Sequence, residues 1–168
     1  MNRFTCASAI TALLVVGCGC LSDPPSNASL RYRSPLYDIT FSLPPGWQGY
    51  SVMTQTWGGQ TYSPATDSLV ATERGPMIVL RHPQWKAGAP YQDIPVLVFT
   101  REQWAAYRQG RFEVGAGGFQ FEIGHNLKFV FTISTRYNAD DSVQGWKQVD
   151  EIVERNRAAN APSLFPRL

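Results

Sequence analysis

Beyond residue 20 the chain has no cysteine: Cys6, Cys18 and Cys20 are the full complement. A body without thiols has no disulfide, no cysteine nucleophile and no thiolate metal ligand, so a buried core must hold it. Histidine is nearly as scarce. His82 and His125 stand alone, without partners at the spacing that zinc sites use. Charge of one sign is missing too: 15 Lys and Arg stand against 13 Asp and Glu, which leaves no basic field to draw nucleic acid. No Gly-x-Ser-x-Gly elbow or Ser-x-x-Lys motif offers an activated serine. The acidic pairs have structural explanations, Asp140-Asp141 as a helix cap and Asp150-Glu151 as a solvated helix face. The expectation is a domain with no metal and no cofactor.

What is present starts with an address. Asn2 and Arg3 precede an apolar, small-residue run from Phe4 to Val16, too short for the roughly 20 residues that cross a bilayer. A charged start, an apolar centre and small residues before a cut are the pattern of a secretory signal. Val15-Val16-Gly17-Cys18 resembles the lipobox of bacterial lipoproteins, with Val15 where Leu is commonest. The resemblance implies cleavage after Gly17 and acylation of Cys18. It also implies anchoring by several acyl chains, since one alone holds only marginally. Gly19, where Asp would retain the protein at the inner membrane, implies the periplasmic face of an outer membrane if the cell has one. The expected layout is a signal peptide over 1–17, a lipidated cysteine and flexible tether over 18–35, an α+β domain over 36–157 and a polar tail over 158–168. Cys20 is left over in the tether.

The domain is expected to open with a strand at Tyr37 to Leu43, where apolar and polar residues alternate with a period of two. Pro44-Pro45-Gly46 ends it. A second strand, Tyr50 to Trp57, should stop at Gly58-Gly59, and the polar stretch Thr61 to Gly75 reads as an irregular loop. Strands follow at Met77 to Leu80 and Asp93 to Phe99, separated by the break at His82-Pro83. Thr100 with Gln103 three residues on is a capping box, starting a helix over Arg101 to Gln109 that Gly110 stops. Phe119, Phe121 and Ile123 alternate towards a turn at Gly124-His125-Asn126, and Leu127, Phe129, Phe131 and Ile133 return from it. Asp140 or Asp141 is placed to cap a final helix whose apolar stripe is Val143, Trp146, Val149, Ile152 and Val153. Locally paired strands with one mid-chain and one terminal helix make a single-domain, antiparallel α+β sandwich.

Two resemblances accompany this reading. Tyr37 to Trp47, YDITFSLPPGW, is similar to the entry of PsbP-like domains, which implies an antiparallel sheet flanked by helices and accessory rather than catalytic roles. The wider domain resembles a group of uncharacterised bacterial lipoproteins, through Gly75 to Pro83, Gln92 to Thr100 and Arg136-Tyr137-Asn138; no activity comes with it.

The five tryptophans sort by context. Trp104 and Trp146 lie on apolar helix faces and are expected in the core, and Trp47 should fold back from its Pro-Gly turn. Trp57 and Trp85 sit at strand ends beside loops. With Arg81 and His82 they are the candidate binding residues, because aromatics and arginine are enriched at binding hot spots. The expected function is a non-enzymatic binding or accessory domain, held to the membrane by its lipid and contacting another envelope protein. The alternative is an envelope hydrolase or small-ligand binder with a cleft around Arg81, His82 and Trp85. Finding His82 buried in a pocket beside Asp93 or Glu73 would favour the alternative.

Overall fold

The computed structural model describes residues 29–115, 118–137 and 142–160. A hairpin of β1 (Leu30–Ser34) and β2 (Ile39–Leu43) forms a two-stranded sheet, and a one-turn 3-10 helix at Pro45–Trp47 follows it. The main sheet has β3 (Ser51–Ser63), β4 (Ser68–Arg81), β5 (Ile94–Thr100), β6 (Glu113–Val114), β7 (Gln120–His125) and β8 (Phe129–Ser134), in the order β6-β3-β4-β5-β8-β7 and antiparallel throughout. Helix α1 (Arg101–Arg108) follows β5, and α2 (Trp146–Asn160) closes the described chain. The fold is single-domain α+β, as the element pattern implies.

Each face of the sheet has its own core. On the first, Ile78, Leu80, Val96, Val98, Phe131 and Ile133 meet Phe41 and Leu43 of β2 and Val149, Ile152 and Val153 of α2. On the second, Leu97, Phe99 and Val130 meet Trp57, Ala106 of α1, Phe112 and Val114. Strand β5 is therefore buried on both sides, and its apolar run needs no alternation. The hydroxyl of Thr100 accepts from the Gln103 amide and the Gln103 side chain accepts from the Thr100 amide, so the expected capping box starts α1. Gly110, at φ +70, ends that turn in the left-handed region that glycine tolerates.

Asn156 seals β2 against α2. Its side chain, 3 % exposed, accepts from the Ser42 amide at 2.7 Å and donates to the Ser42 carbonyl at 2.9 Å, standing in for a neighbouring strand.

Several expectations change. The stretch Thr61 to Gly75 is not a loop: β3 runs on through Gly58-Gly59 to Ser63, and β4 pairs with it from Ser68 onward, with one register shift at Gly59/Gln60. The outer part of this hairpin is exposed on both faces, so it carries no alternation to betray it. Tether and domain also divide elsewhere, because Leu30 and Tyr32 pack on the first core and put β1 inside the span read as tether. The hairpin turn sits after His125 rather than at it, leaving Leu127 in the turn and exposed, and Phe119 lies outside its strand, 79 % exposed. Trp146 is only half-buried, with Lys147 Nζ 5.5 Å above its ring. Helix α2 continues to Asn160; the proposed Asp140 or Asp141 cap, Cys18 and the tail beyond Asn160 lie outside the described residues.

Candidate functional site

The second face of the sheet is only partly covered. Helix α1 packs on β5 and β8 and shields Phe99 and Val130, but Met77, Pro95 and Leu97 lie beyond its reach. Five residues, 115–119, then connect β6 at one sheet edge to β7 at the other. Two lobes open along this crossing and share Val114 and Gly118 as walls. One, of about 400 Å³, lies against Tyr107, Phe112 and Phe119. The other, of about 360 Å³, has Trp57, Met77, Pro95 and Leu97 as its floor and Ser134 and Tyr137 at its end. Together they make a mostly apolar trough, with Arg108, Glu113 and Arg136 also on its lining.

Glycine and hydrogen bonds set its shape. A Cβ at Gly118 would collide with Ser134 Oγ and press on the Arg136 stem at 3.3 Å, so only glycine lets the crossing chain lie this close to β8. The Tyr107 hydroxyl accepts from the Gln120 amide at 2.8 Å, and the Phe119 carbonyl accepts from the Thr135 amide at 2.7 Å. Gly75 lets the Trp57 indole lie flat, since a Cβ there would sit 2.6 Å from three ring atoms. Trp57 stacks on Phe99 at 4.3 Å and donates its indole N–H to the Val98 carbonyl at 2.9 Å. Tyr137 at the trough end donates to Asp150, and burial together with that carboxylate pushes its phenol well above the usual range. It stays protonated at any working pH.

The candidates from sequence fall in three places. Trp57, 4 % exposed, is in the second core and presents itself only as trough floor, not as a projecting aromatic. Arg81 and Trp85 do come together at the sheet end: the guanidinium lies 3.9 Å above the Trp85 ring and forks onto Asp93, with Nη2 2.6 Å from Oδ2. The Asp93 hydrogen bonds hold the guanidinium charged. His82 turns the other way. It is 5 % exposed, stacked on Tyr91 at 3.8 Å and edge-on to Trp47 at 4.9 Å, and its Nδ1 accepts from the Gln84 amide. Burial lowers its pKa, partly offset by a hydrogen bond to the Gly46 backbone. Trp47 and Tyr91 both donate to Gln148 Oε1 of α2, at 3.0 and 2.8 Å, so this cluster ties the helix to the loops. His82 is thus buried among aromatics, while Asp93 is taken by Arg81 and Glu73 accepts from Gln103. The condition that would favour the alternative, a hydrolase or small-ligand cleft around Arg81, His82 and Trp85, is not met.

Sequence reasoning passed over the trough. Its visible sign was the run Gly115-Ala116-Gly117-Gly118 between the mid-chain helix and the Phe119 strand; its floor comes from three strands that only the sheet brings together. No protein-family model, curated protein or solved structure matches this chain.

Proposed function

We propose that this is a lipid-anchored, non-enzymatic binding domain of the bacterial cell envelope, acylated at Cys18, whose trough takes an uncharged apolar small molecule. The trough carries this reading. Lobes of about 400 and 360 Å³ match the size of small-molecule sites, about 300–1,000 Å³ and mostly apolar, whereas a stable protein interface needs about 800 Å² per partner. The side chains lining it hold no nucleophile beside a base. The lipobox and the resemblances to PsbP-like domains and to uncharacterised lipoproteins support an accessory role in the envelope, on the periplasmic face of an outer membrane where one exists. The test uses N-phenyl-1-naphthylamine, an uncharged fluorescent probe, with the chain from Gly19 onward. Met77→Glu, which puts a charge on the floor, should weaken probe binding at least tenfold and Arg81→Ala should leave it unchanged. Equal binding by both variants would sink the assignment.

A protein partner in the envelope is the second reading, favoured by the projecting β3–β4 arm. Its cross-strand pair Tyr62 and Leu69 is 55 % and 61 % exposed. Cross-linking at the arm tip in intact envelopes, compared with a Tyr62→Ser/Leu69→Ser chain, tests it; one partner captured equally by both chains would remove the arm from consideration.

A further inference from the structure

Two strongly exposed leucines lie at neighbouring hairpin tips. Leu36, in the β1–β2 turn, is 75 % exposed and Leu127, in the β7–β8 turn, is 95 % exposed. Turns ordinarily carry polar residues here. The two tips are welded through Asn126: its Nδ2 donates to the Tyr37 carbonyl at 2.7 Å, and its Oδ1 accepts from the Lys128 and Phe129 amides at 2.9 Å. Its carbonyl accepts from Arg101 Nη2 at 2.6 Å. Tyr37 and Phe129 brace the junction with rings 5.5 Å apart, edge to face. Two leucines are thus held out on one platform, with Arg101 and Lys128 beside them and the Arg33 guanidinium 4.0 Å from Asp38 in an exposed pair; Glu102 is a further exposed carboxylate, and Glu122 is hydrogen-bonded to His125.

We propose that this platform is a second membrane contact, inserting Leu36 and Leu127 into the interface of an anionic phospholipid bilayer while the surrounding cations meet the phosphates. Leucine in the acyl boundary and basic groups at headgroup level are the arrangement of interfacial anchors. The reach is sufficient. Leu30 is twelve positions beyond Cys18, up to about 40 Å of chain, and β1 places the Leu36 turn about 20 Å beyond Leu30. An anchor at Cys18 alone sets no orientation for the domain. A second contact would fix which end faces the bilayer and leave the trough in a defined orientation. This contact rests on the lipid-anchor reading for its proximity to a membrane, but not for its chemistry.

The experiment places a polarity-sensitive nitrobenzoxadiazole label at Leu36→Cys or Leu127→Cys in the mature lipoprotein carrying Cys20→Ser, with Thr66→Cys at the arm tip as the reference. The protein is reconstituted in vesicles of equal parts phosphatidylethanolamine and phosphatidylglycerol. The expected result is blue-shifted emission and protection from iodide at both leucine positions but not at residue 66. Arg33→Glu/Lys128→Glu, added to the Leu127 label, should cut the protected fraction roughly tenfold. Labels at both tips that stay as water-exposed as the reference overturn the proposal. The acyl mass on the Cys18 peptide is read from the same sample, so loss of the anchor reading and loss of this contact are told apart.

Discussion

At the scale of single residues, a buried histidine sets a pH dependence. His82 is held neutral by burial, so its folded pKa lies below the unfolded value of about 6.5. The unfolded chain therefore takes up the proton first, and stability from this group is complete above about pH 6.5 and lost as the pH falls towards the folded value. Thermal melts across that range should show a lower Tm on the acid side, and His82→Gln should flatten the difference; an unchanged slope in the variant would remove His82 as its source. Asn156 gives a second prediction. Asn156→Leu strands the Ser42 amide and carbonyl against α2 and is expected to cost about 2–4 kcal/mol in urea unfolding, since each buried unpaired group costs about 1–3 kcal/mol. The residue types at both positions were visible in the sequence. That His82 stacks on Tyr91 and that Asn156 reaches Ser42, 114 positions earlier, was not.

At the scale of elements, legibility followed burial. Strand β5, the Thr100–Gln103 cap and helix α1 were readable because local chemistry and core demand agree there. Thr100→Ala should cost about 1 kcal/mol, measured by denaturant unfolding. The outer β3–β4 arm was hidden because exposure on both faces removes the period-two signal, and Gly58-Gly59 looks like a stop. Inside the strand Gly59 has another use: a Cβ there would meet the Phe112 ring at 2.6 Å. The same exposure predicts dynamics. Amides of residues 61–72 should exchange with solvent well before those of Val96 to Phe99, because few buried contacts oppose local opening of the arm. Hydrogen-exchange mass spectrometry reads this directly, and equal protection in the two segments would contradict it.

For the whole molecule, β5 couples the two cores. Val96 and Val98 face the first and Leu97 and Phe99 the second, so neither can melt without disturbing the other. Unfolding in urea should be a single transition, coincident by tryptophan emission and far-UV circular dichroism, although Trp47 and Trp57 report different cores. Phe99→Ala, with a fully buried side chain, should lower stability by about 3–5 kcal/mol and shift both signals together; separated transitions would show the cores to be independent. The trough belongs to this scale as well, since its floor draws on β3, β4 and β5 and its wall on the crossing between the two sheet edges.

The sequence by itself determined the class: a cysteine-free α+β domain, its central strand, its capped helix and its terminal amphipathic helix. Each of these rests on local spacing, capping chemistry or composition. Only the tertiary structure decided what the surfaces offer. Strand order placed Trp57, Met77 and Leu97 side by side, the fold buried His82 between Trp47 and Tyr91 rather than beside Asp93 or Glu73, and it set Leu36 next to Leu127 through Asn126. Those juxtapositions join residues far apart in the chain, and no local pattern encodes them.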